Sequence, residues 1–427
     1  MSQYAASVRS KPLGDLAAYR LRALLRGSRL CSRPPPRATC RPARSIAYHQ
    51  AVLEFVTAGE SHGKGLHAIV SGFPAGVPID SKALEALLRR RQGGYGRSVR
   101  QQMESDRAEF LSGVRKGITT GNPITLRVKN KASNLAKLPP VTRPRPGHAD
   151  LAGVLKFGHD ADARDVLERS SARETAVRTA VGGLCAQLLE NFGVRCFGHV
   201  VRLGPVKFKR GALDVAARDA SLFFSLDGVG DQQAKKAVDA AAQEGDTLGG
   251  VIEVVATGVP PGLGANVQAD RRLDGRLAAA LMAVPAMKGV EFGLGFEAAR
   301  KPGSKVHDII REGKGGVLSR PTNRAGGIEG GMSNGEPIVV RVAMKPLSTL
   351  RRPLESIDLK DGGRKDAHFE RSDVTAVPAA SVIAEAVTAI VLAQCWLEKF
   401  GSDSLTELER NVAGYYDSIS RWWAPPA

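Results

Sequence analysis

Residues 381–400 read SVIAEAVTAIVLAQCWLEKF, and the reading of this stretch decides the fold. Apolar side chains recur on every face at helical spacing, the mark of a helix covered on all sides. Its best apolar run, 386–393, is stopped by Gln394 after eight residues, well short of the ~18–20 that a bilayer span needs. The expected setting is therefore the core of a soluble protein, with no membrane partner.

Working outward, Asp80 or Ser81 caps a helix running to Arg91, which Gly93-Gly94 ends. Ser171 and Glu174 have the spacing of a capping box opening a helix to Gly193. Residues 124–128, 251–256 and 338–344 read as strands. The 47 glycines, many in pairs such as Gly326-Gly327 and Gly330-Gly331, call for tight turns or close backbone approach to a ligand. No repeat of fixed period and no Pro/Ser linker cuts residues 52–420. The expectation is α+β: a single large domain over 52–410, preceded by a basic extension (1–51) and followed by a short tail (411–427).

Charge is unevenly spread. Of the 427 residues, 61 are Lys or Arg and 43 Asp or Glu, a net charge of +18. Residues 1–50 hold ten basic side chains and one acid, and residues 80–178 hold twenty and eleven. The first segment is Arg-rich and acid-poor, as an organelle transit peptide or an upstream extension would be. The second contains just Tyr95, Phe110 and Phe157 as aromatics, whereas nucleic-acid tracks interleave basic and aromatic residues. A pocket for a small polyanion fits better than a nucleic-acid partner. The five cysteines (31, 40, 185, 196 and 395) form no CxxC pair and no zinc spacing, which leads us to expect neither disulfide nor metal.

Common motifs are missing. Gly59-Glu-Ser-His-Gly63-Lys64 lacks the spacing and hydroxyl of a phosphate loop, and Gly262-Leu-Gly264 lacks the third glycine of a dinucleotide fingerprint. Three denser constellations remain. His62 sits in a Gly-bounded turn, where it can exchange a proton or simply hold the turn. Arg143-Pro-Arg145-Pro-Gly-His148-Ala-Asp150 sets forked donors on a proline-stiffened loop and lets the histidine and aspartate pair. Glu168-Arg-Ser-Ser-Ala-Arg-Glu-Thr175 places hydroxyls and arginines at a helix start, as an oxyanion site or as an ordinary cap with ion pairs. Arg89-Arg90-Arg91 and Arg97 add charge nearby.

Taken in order, GESHG (59–63), RRRQGGYGR (89–97), RPGHAD (145–150), ERSSARET (168–175), MKGVE (287–291), AGGIEGGMSNG (325–335), KPLST (345–349) and ERSDVTAVPAA (370–380) resemble the chorismate synthases. The resemblance covers about Leu53 to Phe400. It implies a β-α-β sandwich and a lyase. The implied reaction is 1,4-elimination of phosphate from 5-enolpyruvylshikimate-3-phosphate to give chorismate, with reduced FMN as cofactor. It also implies a homotetramer.

By the same resemblance, His62 assists departure of the phosphate, His148 keeps the reduced flavin protonated or polarised, and Asp373 works with flavin N5 as the C6 proton leaves. Arg169, Ser170, Ser171, Pro285, Ala286, Gly330, Lys345, Pro346, Leu347, Ser348, Thr349 and Arg371 correspond to FMN-binding positions. Arg90 and Arg97 correspond to arginines associated with NADPH or with substrate anions, and Ser61, Arg145 and Arg173 to substrate-binding positions. KPLST departs from the more usual KPTSS-like or KPIST-like run, and Pro285 stands where Asn or Gln is also seen. With no added nucleotide domain visible, the expected enzyme is monofunctional and draws reduced flavin from an external reductase, with NADPH at most an indirect reductant. GESHGKGL and RRRQGGYGR look bacterial, which favours a cytoplasmic location over a plastid one.

Overall fold

The computed structural model describes residues 53–98, 106–313, 316–370, 373–401 and 403–424. The expected extension, 1–51, lies outside them. Strands β1 (Glu54–Ala58), β2 (Gly65–Ser71), β3 (Ala108–Ser112) and β4 (Ile124–Lys129) form an antiparallel sheet in the order β1-β2-β4-β3. Strands β5 (Arg195–Leu203), β6 (Val206–Lys207), β7 (Gly250–Thr257), β8 (Met287–Phe292) and β9 (Ile338–Met344) form a second, in the order β8-β9-β7-β5-β6. β9 shows how the pattern orients a strand: Ile338, Val340, Val342 and Met344 are buried and the residues between them less so, the period of two that puts one face inward.

Between the sheets run α1 (Ser81–Gln92), α3 (Thr175–Glu190) and α4 (Val377–Phe400), with the short α2 (Arg164–Ser170) at the edge. The first sheet rests on α3 through β2 and β4, the second on α4 through β5 and β7, and α3 and α4 pack on each other. The layers thus run sheet, helices, sheet, an α+β arrangement matching the expected β-α-β sandwich.

α4 starts at Val377, four residues before the expected stretch, with Pro378 in its first turn, where the missing N–H costs no helix bond. It is long and apolar enough to cross a bilayer, contrary to the reading of its run length, yet 89% of its most apolar window is buried within the protein. Two of its polar side chains bond to backbone carbonyls: Thr388 donates to that of Ala384 (2.8 Å) and Gln394 to that of Leu53 (2.9 Å). Glycine lets the layers close. A Cβ on Gly182 would stand 2.4 Å from the Ala386 carbonyl oxygen, and one on Gly198 2.5 Å from that of Ser381.

Two boundaries differ from expectation. Ser171 accepts from the Arg173 N–H, but Glu174 turns away to Thr57 and Arg178, so no reciprocal capping box forms. A 3-10 turn, Ala172–Glu174, precedes α3, which ends at Glu190. At the other end α5 (Leu405–Ile419) runs through the expected boundary at 410, with Leu408 and Val412 buried against the core. Apolar residues one turn apart hold that segment to the body.

Candidate active site

The turn between β1 and β2 carries His62. Gly59 has φ +111°, and a Cβ there would lie 2.3 Å from the Gly65 carbonyl oxygen, so the chain reverses where other residues would be strained and would clash. Asn130 clamps the turn by donating to the Glu60 (3.0 Å) and Gly63 (2.9 Å) carbonyls. Arg169 holds its other side, donating to the carbonyls of Gly59 and Thr57, each at 3.0 Å. His62 itself is 9% exposed and faces Glu168: its backbone N–H and its Nδ1 each lie 2.8 Å from one carboxylate oxygen.

The proline-stiffened loop behaves as its residue types suggest. The Arg145 guanidinium donates to both oxygens of buried Asp150 at 2.8 and 3.0 Å, and to Thr349 at 3.0 Å. His148 Nδ1 lies 2.5 Å from Asp150 Oδ1. Burial pushes the Asp150 carboxyl up, but its bonds to His148 and Arg145 outweigh that and hold it well below the usual range. As an acceptor-only carboxylate, Asp150 requires Nδ1 of His148 to donate. Lys345 Nζ and Ser348 Oγ are 2.9 Å apart, and Ser348 donates to the Gly147 carbonyl at 3.1 Å. The 345–349 segment is therefore docked on the histidine loop.

Ser61 of the His62 turn, the histidine loop and the 345–349 segment line one cavity of about 610 Å³, with the His62 ring itself behind Ser61 and outside that lining, a volume within the range of small-molecule sites. It brings together Ser61, Arg97, Arg145, His148, Arg169, Ser170, Ser171, Arg173, Pro285, Ala286, Lys345, Leu347, Ser348, Thr349 and Asp373. Seven cationic side chains line it (Arg91, Arg97, Arg145, Arg169, Arg173, Arg178 and Lys345) against the carboxylates Glu174, Glu370 and Asp373. The lining also includes an apolar set: Val284, Pro285, Ala286, Met344, Leu347, Ala379, Ala380 and Ile383. Ala286 has φ +70°, a left-handed backbone uncommon outside glycine and costing of order 1 kcal/mol.

Asp373 pairs with Arg97 at 2.7 Å and accepts from the Ser98 N–H at 2.7 Å. Burial lowers the pKa of the Arg97 guanidinium, with Asp373 opposing that shift. Burial likewise lowers Lys345, reinforced by Lys288. Asp106, which sequence reading missed, bridges Arg91 (3.2 Å) and Arg173 (2.5 Å) with its side chain fully buried. Burial lowers Arg91 to about 10.

Several expected residues stand elsewhere. Arg90 is turned away, bonded to Glu385 and 3.8 Å from Asp219, and lines a second cavity of about 860 Å³. Its neighbour Arg91 reaches the first cavity in its place, because successive helix positions differ by about 100°. Gly330 sits in the turn between Ile328–Glu329 and Met332–Ser333, outside the cavity lining. Pro346 is likewise not in the lining, and Arg371 lies outside the described residues. The Ser170 hydroxyl is engaged with the Val166 carbonyl, leaving its backbone and position as its contribution. Among the described residues no cluster of metal-ligating side chains occurs, and Cys185, Cys196 and Cys395 are free thiols.

The buried carboxylates make a testable statement about acid. His368 lowers Glu370 to about 2 from 4.5, helped by Arg164 and opposed by burial. Glu168 is also lowered, the bonds from His62 and Arg164 outweighing burial. A depressed folded-state pKa contributes stability that is present above the ordinary value and lost as pH falls through the folded one. Urea midpoints measured against pH should therefore decline from about 4.5 down to about 2. A flat curve across that interval would show that these carboxylates are not paired in solution.

Comparison with known proteins agrees with this geometry. Residues 53–397 match the model of the family described as chorismate synthase. The chain is 53% identical over 386 residues to the chorismate synthase of Trichlorobacter lovleyi, covering 85% of this chain and 98% of that one. It is 53% identical over 385 residues to that of Desulforudis audaxviator, covering 86% and 98%. A solved structure, a crystal structure of chorismate synthase, superposes with a TM-score of 0.72 at 41% identity, over 87% of this chain and 99% of that one. With the sandwich, the cationic cavity and these relatives in agreement over nearly the whole of residues 53–397, the chain belongs to the chorismate synthase family.

Proposed function

We propose that the 610 Å³ cavity is where this chorismate synthase binds reduced FMN beside 5-enolpyruvylshikimate-3-phosphate. The family activity is the elimination of phosphate from that substrate to chorismate, a step in the synthesis of the aromatic amino acids, and it uses a reduced flavin. One observation carries the placement: a single cavity is lined both by apolar side chains (Pro285, Ala286, Leu347, Ala379 and Ile383) and by seven cationic ones. A flat ring system needs the first surface, and a substrate with one phosphate and two carboxylates needs the second. The donors Lys345, Ser348 and Thr349 suit a flavin's polar edge and phosphate, so the residues present fit the group.

When bound, a reduced flavin supplies transient electron density to the breaking C–O bond and takes it back. The chain's residues do the rest. Arg91, Arg97 and Arg173 orient the polyanion. His62 gives a proton from Nε2 to the departing phosphate oxygen, or pairs with it, easing expulsion of a highly charged leaving group. His148, held by Asp150, keeps the flavin's pyrimidine edge protonated or polarised. Asp373, held by Arg97, assists removal of the ring proton. We further infer a monofunctional enzyme that takes reduced flavin from an external reductase, using NADPH only indirectly. We also infer a homotetramer, and a cytoplasmic location, the latter supported by the bacterial relatives.

The test is an anaerobic assay of the purified protein with substrate and chemically reduced FMN, following chorismate and phosphate. Equal release of both without net flavin oxidation is the expected result. FMN binding without chorismate would mean the chemistry has changed, and turnover from NADPH with oxidised FMN alone would overturn the monofunctional reading.

A further inference from the structure

Glu168 and Arg169, consecutive on α2, grip the His62 turn from two sides. Arg169 holds the carbonyls of Thr57 and Gly59. The Glu168 backbone carbonyl accepts from the Ser61 N–H at 3.2 Å, and its carboxylate takes both His62 donors at 2.8 Å. We propose that Glu168 is a positioning residue for the elimination: it fixes the His62 ring with the proton on Nδ1 and so presents Nε2 to the departing phosphate. The proposal rests on the role given to His62 above.

Three observations support it. The carboxylate side chain is fully buried, so its hydrogen bonds are not shared with bulk water and a missing partner would be costly. An ionised carboxylate only accepts, and one oxygen already takes the backbone N–H, which cannot change its polarity. The other oxygen then selects the Nδ1–H form of the ring. Lastly, Arg164 lies 3.5 Å from the same oxygen and 2.8 Å from Glu370. Arg164 thus links the carboxylate that holds His62 to a second one, Glu370, which His368 also faces at 3.4 Å. Arg164 therefore favours the ionised, acceptor-only form of Glu168 that faces Nδ1.

Glu168→Gln keeps the shape and removes the charge. An amide has one accepting oxygen, and the backbone N–H of His62 claims it. The amide NH2 then faces the ring, which must accept at Nδ1 and carry its proton on Nε2. Two measurements test this. In ligand-free protein labelled with 15N-histidine, the His62 signal (identified by its loss in His62→Ala) should show the proton on Nδ1 in the neutral ring of the wild type and on Nε2 in Glu168→Gln. Under anaerobic turnover with reduced FMN, Glu168→Gln should lower kcat by roughly 10²-fold or more while KM stays within about twofold, because the amide no longer accepts from Nδ1–H of the imidazolium that gives up its Nε2 proton, whereas binding is untouched.

A wild-type His62 carrying its proton on Nε2 overturns the proposal, and that measurement needs no variant to fold. Unchanged kcat in a folded Glu168→Gln protein overturns it too. The two readings fail separately. Full activity in His62→Ala sinks the role of the histidine whatever its tautomer, while an impaired His62→Ala beside a fully active Glu168→Gln sinks the positioning role alone.

Discussion

Replacing His62 with alanine lowers turnover by about 10²–10⁴-fold, the range for loss of a positioned proton-transfer group, while FMN still binds. The separation is expected because the side chain is held from behind, by Glu168, and the cavity lining includes its neighbour Ser61 rather than the ring. The turn should survive the substitution, since the Asn130 and Arg169 bonds that shape it go to backbone carbonyls. Removing the ring does leave the Glu168 carboxylate short of one donor, so some stability is lost as well. Steady-state kinetics under anaerobic conditions, paired with FMN titration monitored by fluorescence, separates the outcomes. If affinity for FMN collapses and the rate of the residual bound enzyme does not, the histidine belongs to the binding surface and its chemical role is wrong.

Asp106→Ala is expected to cost about 3–5 kcal/mol, the range for breaking a buried ion pair by removing one partner. The loss is large because one carboxylate serves two arginines. Without it, the Arg91 and Arg173 guanidiniums keep their places near one another with their shared counter-charge gone. Burial lowers the pKa of Arg91, Asp106 opposes that shift and the neighbouring Arg173 adds to it, so losing Asp106 removes the opposing influence. Urea unfolding measures the effect as a drop in midpoint at unchanged slope. Substrate affinity should fall in parallel, since both arginines line the cavity. A change in stability below about 1 kcal/mol, the median scale of exposed pairs, would mean that water reaches the bridge.

The elements that sequence alone locates are those whose signal is local. Asp80 caps α1 as its residue type suggests, accepting from the N–H groups of Lys82 and Ala83, and β9 spans 338–344 as its alternation requires. The pairing of His148 with Asp150 is likewise a matter of short spacing on a stiff loop. The mismatches have the opposite origin. Glu174 leaves its capping box for Thr57, a residue 117 positions away, because a long-range bond at a sheet edge outcompetes the local one. Asp106 has no partner at a telling spacing, and Glu168, although it stands in a recognised constellation four residues from Arg164, shows nothing locally of its bond to His62; both functions exist only once the first sheet and the 164–175 segment meet. Arg90 and Arg91 are indistinguishable as letters, and the rotation of α1 alone decides which faces the cavity. Much of the remaining site assignment came from family resemblance, which carries positions across but not the direction in which a side chain points.

The place of α4 has a consequence for how the chain comes off the ribosome. The second sheet has its last strand by residue 344, yet the helix that covers Val200, Ile252, Val254, Val340 and Val342 begins at Val377. Until that helix emerges, an aliphatic surface assembled from strands up to 149 residues apart in sequence (Arg195 to Met344) faces water. Contacts of such long sequence separation form slowly, and exposed apolar strands are what chaperones capture and aggregates grow from. Nascent chains arrested before about residue 400 should therefore be protease-sensitive and chaperone-bound, and release of α4 should mark the moment at which the second sheet, and the cavity wall built on Ala379, Ala380 and Ile383, becomes permanent.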